Sequence, residues 1–303
     1  MAIMAANGAK PKTRKGKRFL ENRASKIHEN DKRCLAIHGG KTSPILNEVL
    51  EYLYLLKKPL SQHLKRHNVM HLFEDETLLE RFSGKFDASL FAFGSHQKKR
   101  PNTLIFGRMF DQHILDMFEM RITNYIPAMK FGTFAPTLGS KPCILLQGTL
   151  FESDDEMKRL GNLMVDWFRG IKVPNIRLQG LETVISLTIV EGVLLFRVYR
   201  TQLKKSASKT PRVELVEIGP SIDFVLDRKK IASDSLYKSA MRVPDELRVK
   251  PRKNVSQDVF GTQKARIHLG RQEIGRIQTR KTPALRKAPR RATSGANSIP
   301  LGE

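Results

Sequence analysis

Residues 34–56, CLAIHGGKTSPILNEVLEYLYLL, read as a short buried strand, a glycine turn and a capped amphipathic helix. Leu35, Ala36 and Ile37 make the apolar run, and Gly39-Gly40 makes the turn. Ser43 is placed as N-cap of a helix that begins at Pro44, where proline's missing N–H costs nothing. Ile45, Leu46, Val49, Leu50, Leu53 and Leu56 then recur on one face at helical spacing. The plan returns 109 residues later, where Cys143-Ile144-Leu145-Leu146-Gln147-Gly148 repeats the pattern that starts at Cys34. A capping box of Ser153 and Glu156 opens a second helix carrying Met157, Leu160, Leu163, Met164, Trp167 and Phe168. Two copies of one unit predict a duplicated α/β (α+β) domain with pseudo-twofold character.

The chain has 303 residues, 40% of them hydrophobic, and a formal net charge of +24. The charge is concentrated at the ends: residues 1–33 carry a net +7, residues 34–227 only +4, and residues 228–303 +13. A near-neutral middle between basic arms implies a polyanionic partner, because Lys and Arg placed on phosphates release condensed counterions. No apolar run approaches the roughly 20 residues that span a bilayer. The first 18 residues lack an apolar signal-peptide core and are broken by Gly8, Pro11 and Gly16, which disfavours a membrane-surface helix. Nucleic acid is the favoured partner, the alternative being a protein that is basic without a polyanionic partner. The two cysteines, each opening an apolar run, fit buried reduced thiols.

Along the chain, residues 1–33 read as an extended basic arm, with Lys10, Lys12, Arg14, Lys15, Lys17 and Arg18 forming a nuclear-localisation-type cluster. His63, His67 and His71 recur every fourth residue, as on one face of a helix. Residues 89–93 and 102–106 are strand-like and joined through Gly94, His96 and Lys98-Lys99-Arg100. Residues 110–120 read as a short helix, and the proline-rich 127–142 as the connection between halves. The second half repeats the plan with a strand at 143–147 and a helix at 154–169. Strands at 183–190 and 193–200 flank the two-residue turn Glu191-Gly192. Further strands follow at 213–218 and 222–226, and from 250 onward the sequence reads as a tail.

Four segments carry a resemblance to the Brix-domain family of ribosome-assembly factors. They are His38-Gly39-Gly40-Lys41-Thr42-Ser43, the run Phe93 to Asn102 (FGSHQKKRPN), Gly107-Arg108-Met109-Phe110-Asp111, and Glu217-Ile218-Gly219-Pro220-Ser221. The resemblance covers about residues 20–250. It implies a Brix fold: two halves, each like an anticodon-binding domain, closed into one globule. Boundaries follow as a basic arm at 1–28, a Brix domain at 29–232 with halves near 34–126 and 143–228, and a basic tail at 233–303. It also implies a non-enzymatic factor acting in the nucleolus on the pre-60S particle. Its partners would be 5S rRNA and large-subunit rRNA, a ribosome-biogenesis regulatory protein as obligate heterodimer partner, and the two ribosomal proteins that carry 5S rRNA.

The residues offer little to catalysis. Gly40-Lys41-Thr42 echoes the end of a P-loop, but the required first glycine is Leu35, so the backbone cannot wrap a nucleotide's phosphates. An NTP-dependent RNA-processing enzyme is therefore the weaker alternative, beside a general basic nucleic-acid-binding protein. The three histidines lack an obvious fourth ligand, and a solvated or RNA-facing stripe with Lys65 and Arg66 suits them better than zinc. Glu152, Asp154, Asp155 and Glu156 complement a helix N-terminus. No metal site, cofactor or nucleophile–base pair is expected. The candidate RNA contacts are Lys12, Arg14, Lys15, Lys17 and Arg18 in the arm, and Lys41, His96, Lys98, Lys99, Arg100 and Arg108 in the core. Arg252, Lys253, Arg266, Arg271, Arg276 and Arg280 are those in the tail. A basic loop fixed at both ends by apolar strands makes a good phosphate clamp. Extended arginine-bearing arms suit irregular RNA.

Overall fold

The computed structural model describes residues 12–24, 26–132, 137–173, 175–177, 180–207, 210–248, 252–258, 260–267 and 270. One compact unit runs from Met1 to Leu247 and a second from Arg248 to Glu303.

In the first unit, helix α1 (Arg14–Arg23) precedes β1 (Cys34–Gly39), α2 (Pro44–Lys57), β2 (Ser61–Asn68), α3 (Thr77–Phe86), β3 (Leu90–Ser95), β4 (Thr103–Phe110) and β5 (His113–Ile126). The second half follows with β6 (Cys143–Gln147), α4 (Leu150–Ser153), α5 (Asp155–Phe168), β7 (Thr183–Val190), β8 (Val193–Lys204), β9 (Arg212–Glu217), β10 (Ser221–Lys230) and α6 (Asp234–Ala240). All the strands of this unit join one sheet of order β2-β1-β3-β4-β5-β10-β8-β7-β6, with β9 on the free part of β8.

The sheet displays the duplication. β1 pairs parallel with β3, which continues antiparallel through β4 to β5. β6 pairs parallel with β7, which continues antiparallel through β8 to β10. β5 and β10 meet antiparallel and close the two halves into one surface. Following these directions, β1 and β3 end at one end of the strands, and β6 and β7 end at the other. Among the described residues, β2 and α3 have no counterpart in the second half.

Alternation decides burial. Cys34 and Ala36 face a core shared by α2 and α5, which includes Leu46, Leu50, Leu160 and Trp167. Leu35 and Ile37 face the opposite side, where they join Phe91 and Phe93 of β3 in a second cluster with Leu72 and Leu79 of α3. β1 is thus apolar on both faces and reads as an unbroken run. Trp167 is fully buried and meets Phe106 edge-on at 5.4 Å between ring centroids, joining a helix of one half to a strand of the other.

Four expectations need correction. The segment at 61–68 is an edge strand parallel to β1, not a helix. His63 instead stacks on His38, with their Nε2 atoms 2.6 Å apart. The segment expected as a helix at 110–120 lies mostly in β5, entered through Asp111 and Gln112 at φ 50° and 67°. In the basic arm, residues 14–23 form α1, capped by the Thr13 hydroxyl accepting from the Gly16 N–H at 3.1 Å. Asp154, not Ser153, caps α5, its carboxylate accepting from Glu156 N–H at 3.1 Å.

The expected tail also begins later than residue 233. Asp234 pairs with Arg159, the Tyr237 ring lies 4.7 Å from the Arg159 guanidinium, and Ala232 N–H donates to Asp116 at 3.0 Å. The second unit contains a small hairpin of β11 (Val255–Gln257) and β12 (Gln263–Ala265). Among the described residues no helix is long and apolar enough to cross a membrane, and no His, Cys, Asp or Glu cluster of three is arranged for a metal ion.

Candidate nucleic-acid interface

Two turns meet where β1 and β3 end. Close approach there requires glycine: a Cβ on Gly39 would stand 2.8 Å from the Gly94 carbonyl oxygen, and one on Gly94 would stand 2.9 Å from Leu50 Cδ1. His96 N–H donates to the Lys41 carbonyl at 2.8 Å and ties the turns together. Asn102 sits in the left-handed region at φ 49°, which its short polar side chain tolerates. Its side-chain oxygen accepts from Ser43 Oγ at 2.7 Å and lies 3.0 Å from His96 Nδ1. Ser43 Oγ also accepts from the Leu46 N–H at 3.3 Å, so the residue that caps α2 fixes the hairpin as well.

The hairpin tip is closed by reciprocal backbone hydrogen bonds between Gln97 and Arg100, each 3.1 Å. Lys98 and Lys99 occupy the two positions between them and are exposed. Lys41 is exposed beside them, on the turn that His96 holds. Three of the expected contacts thus converge on one braced corner, while His96 acts in the bracing.

The two arginines behave differently. Arg100 donates to Glu119 at 2.7 Å, and that carboxylate is 2% exposed. The hairpin is thereby pinned to β5. Arg108 is buried, which corrects the expectation that it meets RNA. It donates to Asp116 at 2.7 and 3.1 Å, and reaches Asn162 at 2.7 Å and Asp166 at 3.0 Å on α5. A buried guanidinium needs this many acceptors to offset its desolvation. Arg108 holds the two halves together.

The remaining candidates lie outside this corner. Lys12, Arg14, Lys15, Lys17 and Arg18 are exposed, and the last four crowd the N-terminal turns of α1, where the helix's own partial charge is also positive. In the second unit Arg252, Lys253 and Arg266 are exposed about the β11–β12 hairpin. Arg271, Arg276 and Arg280, with Lys10 of the localisation-type cluster, lie outside the described residues.

Reading the sequence missed Arg228. It donates to both oxygens of Glu119 and places its guanidinium 4.1 Å from the Phe73 ring centroid. Those partners lie more than 100 positions away along the chain, and no local signal links them. The arrangement presents exposed cations on a hydrogen-bonded frame.

The Brix domain family matches residues 39–228. The ribosome production factor 2 homolog of Caenorhabditis elegans is 55% identical over 291 residues, covering 96% of this chain and 98% of that protein. The homolog of the same name from Homo sapiens is 47% identical over 253 residues, covering 84% and 83%. Among solved structures, a probable ribosomal biogenesis protein from Aeropyrum pernix K1 overlays with a TM-score of 0.43 at 9% identity, over 67% of this chain and 99% of that one. A domain match over most of the chain, and identity sustained along nearly the full length of these relatives, place this protein in the Brix-domain family, among the ribosome production factor 2 homologues.

Proposed function

We propose that this ribosome-biogenesis factor works by position, holding rRNA and a protein partner together without a reaction of its own. One observation carries the reading: Lys41, Lys98 and Lys99 are exposed on two turns tied together by the His96 N–H to Lys41 carbonyl hydrogen bond, and the two ends of the chain bring most of the net positive charge. Phosphate contacts from such a corner fix orientation and carry no sequence information, so protein contacts supply the address. The basic arm and tail add affinity that falls steeply with salt.

In this reading the RNA is 5S rRNA with neighbouring large-subunit rRNA, met in the nucleolar pre-60S particle. The protein partner is a ribosome-biogenesis regulatory protein bound as an obligate heterodimer. The pair brings in 5S rRNA with its two carrier ribosomal proteins. Crosslinking in cells, with peptides and nucleotides mapped together, tests it. The expected result is crosslinks from the arms and residues 98–99 to 5S and adjacent large-subunit rRNA. Crosslinks scattered over messenger RNA, or none from these segments, would overturn the reading.

A further inference from the structure

Beneath the hairpin tip lies a cavity of about 210 Å³ that the binding corner does not use. Exposed Lys99 and Gln97, half-exposed Arg228, the buried Glu119 carboxylate and the apolar side chains of Phe73, Phe93 and Ile105 line it. It is smaller than the roughly 300–1,000 Å³ of pockets for drug-sized ligands, so it admits a single small group.

Charge within the cavity selects among small ligands. A phosphate driven inward would approach Glu119 and Glu74, both of which line it. The Glu119 carboxylate is already taken up by Arg100 and Arg228, so it does not call for a further cation. What remains favourable inside is a neutral, flat, hydrogen-bonding group, with its anionic attachment left outside at Lys99. Arg228 supplies a platform for such a group: its guanidinium is fixed in plane by Glu119 and backed on Phe73. Guanidinium planes and aromatic rings are the surfaces on which unstacked bases lie in single-stranded RNA recognition.

We propose that this cavity takes one unstacked RNA nucleotide, its base inserted against Arg228 and Phe73 and its phosphate on Lys99. The inference rests on the RNA-holding role above and deepens it: the corner engages a loop or bulge with a free base, not a continuous duplex.

The test uses the full chain and single-stranded RNA of about ten nucleotides, within the usual site size of single-strand binders. Affinity is compared at fixed salt with a series of the same RNAs carrying one abasic position. The expected result is a loss of about tenfold when one particular base is removed. Arg228→Lys keeps the charge but removes the plane. It should abolish that discrimination while binding the abasic RNA as the unaltered protein does. Phe73→Leu should weaken the discrimination in the same direction.

Equal binding of intact and abasic RNAs by the unaltered protein would overturn the cavity's role, as would discrimination that survives in Arg228→Lys. Displacement of the base-dependent binding by a Glu-rich peptide would assign the cavity to an acidic protein segment instead. If a Lys98→Ala/Lys99→Ala variant binds RNA more weakly yet no base dependence exists, the RNA-holding role stands and only this inference falls. If no RNA binds at all, both fall.

Discussion

Arg108 illustrates how one side chain can look like surface chemistry and be interior architecture. Substituting Met keeps much of its volume but leaves Asp116, which is fully buried, without its cationic partner. Breaking one side of a buried ion pair costs about 3–5 kcal/mol. Arg108→Met is therefore expected to lower unfolding stability by that amount in urea titrations followed by Trp167 fluorescence. An RNA-contact role predicts the opposite pattern, an unchanged midpoint and a lower RNA affinity. His38 and His63 give a second prediction at this scale. Burial holds both below the ordinary imidazole value of 6.5, with the paired ring reinforcing the effect at His63. The unfolded chain takes up protons near 6.5 while the folded one resists, so this stability is whole above that pH and is lost as pH falls below it. Melting temperature should drop between pH 7.5 and 5.5, where carboxylates stay ionised, and His63→Gln should flatten the decline.

At the scale of elements, the legible parts of the fold were those whose signals are local. The Ser43-Pro44 start of α2 and the Glu191-Gly192 turn between β7 and β8 announce themselves within four residues; both turn residues adopt positive φ, at 51° and 81°. β2 was opaque because its histidine spacing suits a helix and only pairing with β1 decides otherwise. β5 was opaque for a related reason: its entry turn, Asp111-Gln112, lacks glycine, and its run of mixed residues does not alternate cleanly. That one misreading also hid the site's wiring. Asp116 and Glu119, the partners of Arg108 and Arg100, both sit on β5, so those arginines looked free. Lys98 and Lys99 were legible since the two strands that expose them are. Each lysine lost from a phosphate contact should reduce the slope of log affinity against log salt by about 0.7 on single-stranded RNA. Lys98→Ala/Lys99→Ala should thus lower the slope by up to about 1.4, without shifting the melting temperature, when titrated over several salt concentrations.

For the molecule as a whole, the compact unit extends beyond the last core strand to Leu247. A chain ending at 247 should melt as the full chain does, with weaker RNA binding from the loss of basic residues. Ending at 232 removes Asp234 and Tyr237 from Arg159 and uncovers the Arg108 network. Losing about 1–2 kcal/mol there should lower the melting temperature by roughly 2–8 °C, at ~2–4 °C per kcal/mol for a unit of this size. The pseudo-twofold sheet has one further consequence. The turns after β1 and β6, with their neighbouring hairpins, occupy diagonally opposite corners. One corner bears Lys41, Lys98 and Lys99, whereas its counterpart bears Thr149, Glu191 and Gly192. Symmetry of backbone thus coexists with polarity of charge. In the field of a polyanion such a difference contributes a torque that favours turning the lysine corner toward it.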